Sequence, residues 1–404
     1  HEGTKEKRGF VSWRLGGEEE KGFGLWWRFL GGLIVHSVLI GPRKYVQGRG
    51  ALADAGKYLK VLGKRPVLLW DETVRGIVGP TVLESLERAQ SKPVEVEFGG
   101  ECTKREVARI VKSVKESGAD ISVGLGGGKT LDAAKAAGIE TGIRIVTCPT
   151  IASNDSPTSA ATVWYDEDGN FTHFDCWPFN PDLVLVDSLV ISRAPVRTLV
   201  AGMGDALATW VEAKVALATG AGNIAGGVST LAAMAIAELG YETLMEHGID
   251  AMRAVENDAL TPSVEKVIEA NILHSGLGFE SGGLATAHTV ANCLPSFPQC
   301  RGLMHGEEVS FGVVTQLCLD RAVTMEEVYE AVGFLVAVGL PVTFEDIGLE
   351  DVSREELKRI GDVCASAGSL CESHCFQVTS EAVVDALVAA DALGRDRKVA
   401  AGVL

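Results

Sequence analysis

Apolar positions along the chain follow two different spacings, and the change between them divides the sequence. Up to about residue 190, short apolar runs alternate with longer segments whose apolar residues recur at every third or fourth position. The short runs predict buried strands, and the longer segments predict helices with one apolar face. We predict strands at 38–40, Pro66–Trp70, 94–98, 121–125, 143–148 and 183–186, and helices at 51–62, 78–90, Lys104–Ser117 and from the glycines after 125 through Ala137.

The second half of the chain has a different texture. Beyond about residue 194, long segments rich in Ala, Leu and Glu, such as 206–218 and 229–246, predict helices nearly to the end. Because strands that alternate with helices are typical of a mostly parallel sheet, we predict an α/β nucleotide-binding domain over residues 35–193. An all-α domain follows over 194–404. Residues 1–34 show no reliable period, and we interpret them as an extension of unknown role.

Composition excludes several classes of partner. The 404 residues carry a formal net charge of −17, which argues against nucleic acid and anionic membranes, since both select clustered Lys and Arg. The apolar stretch 25–40 is shorter than the ~20 residues of a membrane helix. Nine Cys residues without paired C-x-x-C motifs fit a reducing compartment, so we expect a cytoplasmic protein and leave organellar targeting by residues 1–34 open. The group Cys371, His374 and Cys375 lacks a clear fourth zinc ligand, and we interpret it as ordinary thiols.

The most informative local motif is the glycine loop, ISVGLGGGKTLD at 121–132. A predicted strand runs into glycines and then into a helix, so backbone N–H groups and a helix N-terminus can meet a phosphate. The spacing fits neither the Walker loop nor G-x-G-x-x-G, and a plain strand–helix turn stays an alternative. Asp71 ends the strand Pro66–Trp70. In dinucleotide folds an acidic residue there bonds the ribose hydroxyls and favours NAD over NADP, although a solvated turn residue is an equal alternative.

Three residues of the helical half suggest a metal site. Asp205, His288 and His305 lie in glycine-rich segments of low charge, and one Asp with two His suits a divalent metal that keeps a position open. Spacing alone leaves ordinary core or surface histidines as the alternative. Asp155, after the strand at 143–148, is a candidate for bonding substrate hydroxyls or for closing an Asx-turn. His274 is interpreted as structural.

Together these motifs resemble one family. The chain is similar to the metal-dependent group of the iron-containing alcohol dehydrogenase family and, within it, to the branch that oxidises glycerol. The resemblance covers about residue 36 to the C-terminus and implies a parallel nucleotide-binding domain, a helical domain, a cleft between them and a homo-oligomer, often an octamer. The matching stretches are KYVQGRGAL at 44–52, GLGGGKTLDAAK at 124–135, PTIASNDSPTSA at 149–160, NPDLVLVDS at 180–188, APVRTLVAGMGDALATWVEA at 194–213, SGLGFESGGLATAH at 275–288 and MHGEEVSFG at 304–312.

The resemblance also assigns roles to residues. It implies that Asp205, His288 and His305 hold a catalytic metal, zinc or another divalent ion, and that with Asp155 they contact the substrate. Thr209 stands where other branches carry a further His, which favours the three-ligand, zinc-type branch. The predicted NAD-contacting positions, taken from the glycine loop and the resemblance, are Asp71, Gly126, Gly127, Gly128, Lys129, Thr130, Asp132, Thr150, Ser153, Ser159, Ala161 and Tyr165.

The implied activity is NAD-dependent oxidation of glycerol to dihydroxyacetone, and the reverse, by metal-assisted hydride transfer on a small polyol. Two departures from the family pattern are visible: Asn154-Asp155-Ser156 replaces the usual Thr-Asp-Ala, and Ala291 replaces a frequent second His. The second departure bears on the proton path and the substrate preference. The alternatives are a dehydrogenase for another vicinal diol or hydroxy acid, a non-catalytic relative, and a lyase resembling dehydroquinate synthase. The lyase needs Lys and Arg for an anionic substrate, and only Lys129 and Arg301 are near.

Overall fold

Eight strands form two sheets in the part of the chain that the structure describes, residues 36–403 of a computed structural model. Six of them lie parallel in the order β1-β8-β5-β4-β2-β3, and β6 and β7 form a separate antiparallel hairpin. Strand β2 is buried along its whole length, because a parallel sheet is covered on both faces and its inner strands carry continuous apolar runs. The strands are β1 (Tyr45–Gly48), β2 (Pro66–Trp70), β3 (Val94–Glu97), β4 (Ile121–Gly126), β5 (Arg144–Pro149), β6 (Ala161–Tyr165), β7 (Phe171–Cys176) and β8 (Leu183–Asp187).

Helices cover both faces of the parallel sheet. On one face α1 and α2 pack against residues such as Leu68 and Leu185, and on the other α3 and α4 pack against Val67 and Leu69. Helix α3 shows why the sequence folds this way, since its apolar residues at spacings of three and four are buried and the Thr103 side chain caps its first turn. These helices are α1 (Ala55–Leu62), α2 (Glu72–Arg88), α3 (Lys104–Ser117), α4 (Gly128–Thr141) and the short α5 (Ser188–Ile191).

The second half is a bundle of helices around α6. Helix α6 packs against α7, α9 and α11, and one turn of π-helix, Ala270–His274, joins α8 to α9. Val184 and Val186 of β8 belong to the same hydrophobic core as these helices, so the two halves meet at a packed boundary. The helices are α6 (Val196–Thr219), α7 (Leu231–Glu256), α8 (Pro262–Glu269), α9 (Ser275–Gly282), α10 (Thr286–Cys293), α11 (His305–Leu319), α12 (Met325–Ala337), α13 (Arg354–Cys364) and α14 (Ser380–Ala400).

The predicted fold class is confirmed, with local corrections. The strand predicted at 38–40 is wrong, because only Ser37 makes an isolated bridge there, and the strand that pairs with β8 is β1. Helix α2 begins at Glu72 instead of 78, because the Asp71 side chain accepts a hydrogen bond from its first turn. The β6–β7 hairpin was not predicted, although the burial of β6 alternates along the strand.

The proposed extension, residues 1–34, lies outside the described residues. The domain bounds 35–193 and 194–404 stay predictions. Between residues 36 and 403, no helix combines the length and the apolar character that crossing a membrane requires.

Candidate active site

Helices α6 and α11 touch through glycines at the point where the candidate metal ligands lie. A methyl group at Gly306 would lie 1.7 Å from the carbonyl oxygen of Ala201, and one at Gly204 would lie 2.3 Å from the carbonyl oxygen of Gly306. No side chain fits in either place, so glycine alone lets the N-terminus of α11 rest on α6. This close approach brings Asp205 on α6 next to His305, the first residue of α11.

Asp205, His288 and His305 each bring one ligand atom to within 4.8 Å of the others. The Nε2 atoms of His288 and His305 lie 3.5 and 3.6 Å from Asp205 Oδ1. Ligands about 2.1 Å from a tetrahedral zinc ion lie about 3.4 Å apart, so these separations fit one shared ion. Asp205 Oδ1 is buried and has no hydrogen-bond partner among residues 36–403, which is costly for a carboxylate unless a cation satisfies it. The donor set therefore fits a divalent metal.

A buried carboxylate that the sequence analysis missed, Glu212, holds His288. Its Oε2 lies 2.5 Å from His288 Nδ1, and its Oε1 accepts the backbone N–H groups of Ala285 and His288 at 2.9 and 3.0 Å. This contact fixes the imidazole tautomer so that Nε2 faces Asp205. Burial lowers the pKa of His288, but Glu212 and Asp205 outweigh burial and hold that pKa well above its usual value. An ion that binds there must displace a proton.

Asp155 lies beside these three residues, on the loop after β5. Its backbone N–H donates to Asp205 Oδ2 at 3.3 Å, and Ser275 Oγ donates to its Oδ2 at 3.1 Å. Burial first, and the Asp205 carboxylate second, raise the pKa of Asp155 to about 8, while His288 and His305 act in the opposite direction. The structure thus brings together the four residues that the sequence analysis grouped as catalytic or substrate-contacting.

The glycine loop lies at the carboxyl end of β4, the edge at which open parallel sheets bind ligands. Gly126 has a φ of +151°, a conformation that favours glycine, and Gly127 is the N-cap of α4 without a side-chain capping bond. The first turn of α4 therefore faces the loop with N–H groups that suit a phosphate. Lys129 is already engaged, since its Nζ lies 2.5 Å from Glu101 Oε1 and 4.6 Å from the centroid of the Tyr165 ring.

Two other predicted cofactor positions follow strands at the same edge of the sheet. Asp71 follows β2 and accepts the N–H of Val74 at 2.8 Å, so it is the N-cap of α2. Thr150 follows β5, and its backbone N–H donates to the Gly126 carbonyl at 3.1 Å. Of the remaining positions, Thr130 is buried beside the Gly126 backbone, Ser153 is partly exposed, and Ala161 begins β6.

Asp132, also predicted to contact the cofactor, is buried and engaged within the protein. Its carboxylate accepts Ser156 Oγ at 2.7 Å and the N–H of Val163 at 2.9 Å, and it pairs with Lys135 Nζ at 2.8 Å. Lys135 Nζ in turn lies 3.1 Å from Ser159 Oγ. This buried pair ties α4 to the segment that carries Asp155. Lys135 was not predicted, although its spacing of three from Asp132 on one helix places the two charges together.

The Cys and His residues that were not predicted to bind the metal make other contacts. Thr286 Oγ1 lies 3.3 Å from Cys371 Sγ and 2.8 Å from His374 Nε2, while Cys375 is exposed. His274 Nε2 lies 3.5 Å from Glu269 Oε1.

Comparison with known proteins agrees with this architecture. The family model described as iron-containing alcohol dehydrogenase matches residues 42–188. A glycolaldehyde reductase of Halobacterium salinarum is 44% identical over 359 residues, which are 89% of this chain and 98% of that protein. A glycerol dehydrogenase of Thermotoga maritima is 43% identical over 361 residues, 88% of this chain and 97% of that protein. The chain belongs to the iron-containing alcohol dehydrogenase family. The resemblance found in the sequence is confirmed.

A solved structure of the same family has the same fold. The crystal structure of glycerol dehydrogenase from Schizosaccharomyces pombe matches with a TM-score of 0.87 at 34% sequence identity, over 91% of this chain and 94% of that chain. Membership in the iron-containing alcohol dehydrogenase family implies NAD and a divalent metal as cofactors. The ligand set described above is the one group of three candidate metal ligands found among residues 36–403.

Proposed function

We propose that this chain oxidises a vicinal diol with NAD⁺, glycerol to dihydroxyacetone, and catalyses the reverse reaction. The observation that carries the proposal is the position of the Asp155 carboxylate directly beside Asp205, His288 and His305. A substrate with oxygens on neighbouring carbons can meet the ligand set and Asp155 at once. The names of the relatives support this substrate class, since glycerol and glycolaldehyde both carry oxygens on adjacent carbons.

Asp205, His288 and His305 would hold the metal, and we propose zinc. One carboxylate and two imidazoles with an open position form a donor set typical of catalytic zinc. When bound, the zinc ion supplies a Lewis acid that lowers the pKa of the alcohol, and NAD⁺ supplies the acceptor for a hydride.

The protein's own residues bind and orient the substrate. Asp155 accepts a hydrogen bond from a substrate hydroxyl, and Glu212 keeps the Nε2 face of His288 turned toward Asp205. Ala291 is buried and offers no base. The His305 side chain is 38% exposed, so the ligand set opens to solvent and the released proton leaves through water.

The glycine loop and the adjacent strand ends would bind NAD. The positions we propose for this role are those of the sequence analysis, with Lys129 and Asp132 acting through the contacts they already make with Glu101, Ser156 and Lys135. Asp71, which follows β2, would accept hydrogen bonds from the ribose hydroxyls, and its negative charge would disfavour a 2′-phosphate. The other proposed residues are Gly126, Gly127, Gly128, Thr130, Thr150, Ser153, Ser159, Ala161 and Tyr165.

A second candidate uses the same site in the other direction. The 44% identity to a glycolaldehyde reductase favours a 2-hydroxyaldehyde as the substrate to be reduced. A dehydroquinate synthase-like lyase is disfavoured, since Lys129 and Lys135 are paired with carboxylates and Arg301 lies 3.4 Å from Asn170.

Steady-state assays of NADH decide between these activities. Glycerol, 1,2-propanediol, 2,3-butanediol, dihydroxyacetone and glycolaldehyde are compared with NAD(H), before and after treatment with EDTA. We expect glycerol to be the preferred alcohol, EDTA to abolish turnover and zinc to restore it. Full activity in metal-free protein would overturn the metal-assisted reaction, and turnover of glycolaldehyde without glycerol would select the second candidate.

We also infer a homo-oligomer. The inference rests on the family resemblance, and Leu231, Leu239 and Met325 are exposed apolar side chains of the helical half that contact with further copies would cover. Size-exclusion chromatography with light scattering measures the number of copies, and a monomer would contradict the inference.

A further inference from the structure

A chain of three oxygen atoms runs from helix α6 to the carboxylate of Asp155. Thr209 Oγ1 lies 3.2 Å from Ser275 Oγ, and Ser275 Oγ lies 3.1 Å from Asp155 Oδ2. Thr209 and Ser275 are each 1% exposed, so water does not replace these contacts. Ser275 Oγ donates its single proton to Asp155 Oδ2, so the hydrogen bond between the two hydroxyls is donated by Thr209.

Packing fixes the position of the Thr209 hydroxyl. A methyl group at Gly278 would lie 2.4 Å from Thr209 Cγ2, so this glycine makes the space that the Thr209 methyl fills. The threonine side chain is thereby held in one rotamer, with its hydroxyl turned toward Ser275. A methyl group at Gly276 would lie 2.7 Å from Thr158 Cβ, so the loop that carries Asp155 rests directly on α9.

The start of α9 is anchored as well. Asn271, in the π-helical turn just before α9, donates through Nδ2 to the carbonyl oxygens of Ala152 at 3.0 Å and Leu199 at 2.9 Å. These two bonds join the loop before Asp155 to the beginning of α6. Ser275 therefore stands on a helix that is fixed to both of the elements whose side chains it connects.

We infer that Thr209 and Ser275 are positioning residues that set the preference for a polyol. They hold Oδ2 of Asp155, so that Oδ1, which accepts no hydrogen bond from any residue in the described range, is left for a second substrate hydroxyl. Because the Asp155 carboxylate is already held in place, less conformational free energy is spent on ordering it when the polyol binds. This inference deepens the proposed function and rests on it.

The test compares two alcohols that differ in the second hydroxyl. Ser275→Ala and Thr209→Val are assayed with NAD⁺ on glycerol and on 2-propanol, which lacks a second hydroxyl for Asp155 to bind. We expect Ser275→Ala to lower kcat/KM for glycerol about 5–10-fold, mainly through KM, and to change 2-propanol less than about twofold. Thr209→Val should give a smaller loss in the same direction. Thr209→Ser keeps the hydroxyl but lacks the methyl that packs against Gly278, so it should lose less than Thr209→Val.

Ser85→Ala is the matched control. This buried serine on α2 donates a hydrogen bond to the carbonyl oxygen of Ala53 at 2.7 Å, and its loss should leave the ratio of kcat/KM for the two substrates unchanged. Zinc content, the KM for NAD⁺ and Tm are measured for every variant. If Thr209→Val does not fold, Ser275→Ala carries the test alone.

The outcomes distinguish a failure of this inference from a failure of the proposed function. An equal loss on both alcohols in Ser275→Ala, or no loss on glycerol at wild-type zinc content, overturns the role of the two hydroxyls and leaves the proposed function standing. A wild-type enzyme that does not oxidise glycerol overturns the proposed function itself, and the polyol role with it, before any variant is compared.

Discussion

Replacing Glu212 by glutamine should weaken metal binding in an otherwise intact site. A glutamine keeps one oxygen for the N–H groups of Ala285 and His288, which Glu212 Oε1 accepts at 2.9 and 3.0 Å, but it turns an NH₂ group toward His288 Nδ1. Nδ1 must then accept a hydrogen bond from this NH₂ group, so the proton of the neutral ring moves to Nε2, the atom that faces Asp205. A protonated Nε2 has no lone pair for a metal.

The structure sets the size of this effect. Loss of a carboxylate behind a metal-ligating histidine typically lowers metal affinity 10–100-fold, or about 1.4–2.7 kcal/mol. We expect the upper end of this range, because Glu212 is fully buried and lies 2.5 Å from Nδ1. Glu308→Gln is the matched control, since Glu308 Oε2 lies 3.8 Å from His305 Nδ1, too far for a strong hydrogen bond.

Zinc affinity is measured by competition with a chromophoric chelator, zinc content by elemental analysis, and folding by circular dichroism. Glu212→Gln should stay folded and lose zinc to the chelator, while Glu308→Gln should change the affinity less than about threefold. Wild-type affinity in Glu212→Gln would refute the argument from the tautomer. Equal losses in both variants would show that the removed charge, and not the hydrogen bond, decides the affinity.

Three further predictions concern packing, cofactor choice and pH. Gly306→Ala should destabilise the fold by about 3 kcal/mol in urea unfolding, since its methyl group would lie 1.7 Å from the Ala201 carbonyl oxygen. As a control, Gly76→Ala on α2 should be neutral or stabilising by up to about 1 kcal/mol, because its methyl group would have no atom within 4 Å. Asp71→Gly should raise the ratio of kcat/KM for NADP⁺ to that for NAD⁺ while costing the α2 cap only a few tenths of a kcal/mol, and an unchanged ratio would remove Asp71 from cofactor choice. Burial is the main cause that raises the pKa of Glu280 from 4.5 to about 7, so the folded state binds this proton more tightly than the unfolded chain. The free energy of unfolding should therefore fall as the pH rises between these two values. Glu280→Gln should flatten that slope in unfolding measurements from pH 5 to 8.

The parallel half of the fold could be predicted because its signals are local. Strand Pro66–Trp70 and helix Lys104–Ser117 agree with the sequence prediction residue for residue, since one is a continuous buried run and the other has a capped apolar face. Strand β1 was missed because Tyr45–Gly48 is short and only half-buried at the edge of the sheet, where the apolar pattern is weakest. The β6–β7 hairpin lies outside the parallel sheet, so the alternation of strands and helices gave no reason to expect it.

The ligands of the site could be predicted, but the residues that hold those ligands and Asp155 in place could not. Asp205, His288 and His305 carry chemistry in their residue types, and glycine-rich surroundings mark them. Glu212 and Ser275 are ordinary residue types whose roles depend on contacts across 76 and 120 positions of sequence, so their function follows only from the fold. Pairings at such distances leave no local pattern for periodicity to detect.

Helix α6 nevertheless shows how such positioning residues could be found in a sequence. Asp205, Thr209 and Glu212 follow one another at spacings of four and three, so they share one face of the helix, and none is more than 1% exposed. Asp205 offers its oxygen to the metal, Thr209 begins the hydrogen bonds to Asp155, and Glu212 fixes His288. A helix buried on nearly all sides tolerates polar side chains only where each has a partner. A polar stripe on an otherwise apolar helix is therefore readable in the sequence as one face of a site, and here it contains both the ligand and the residues that hold its neighbours in place.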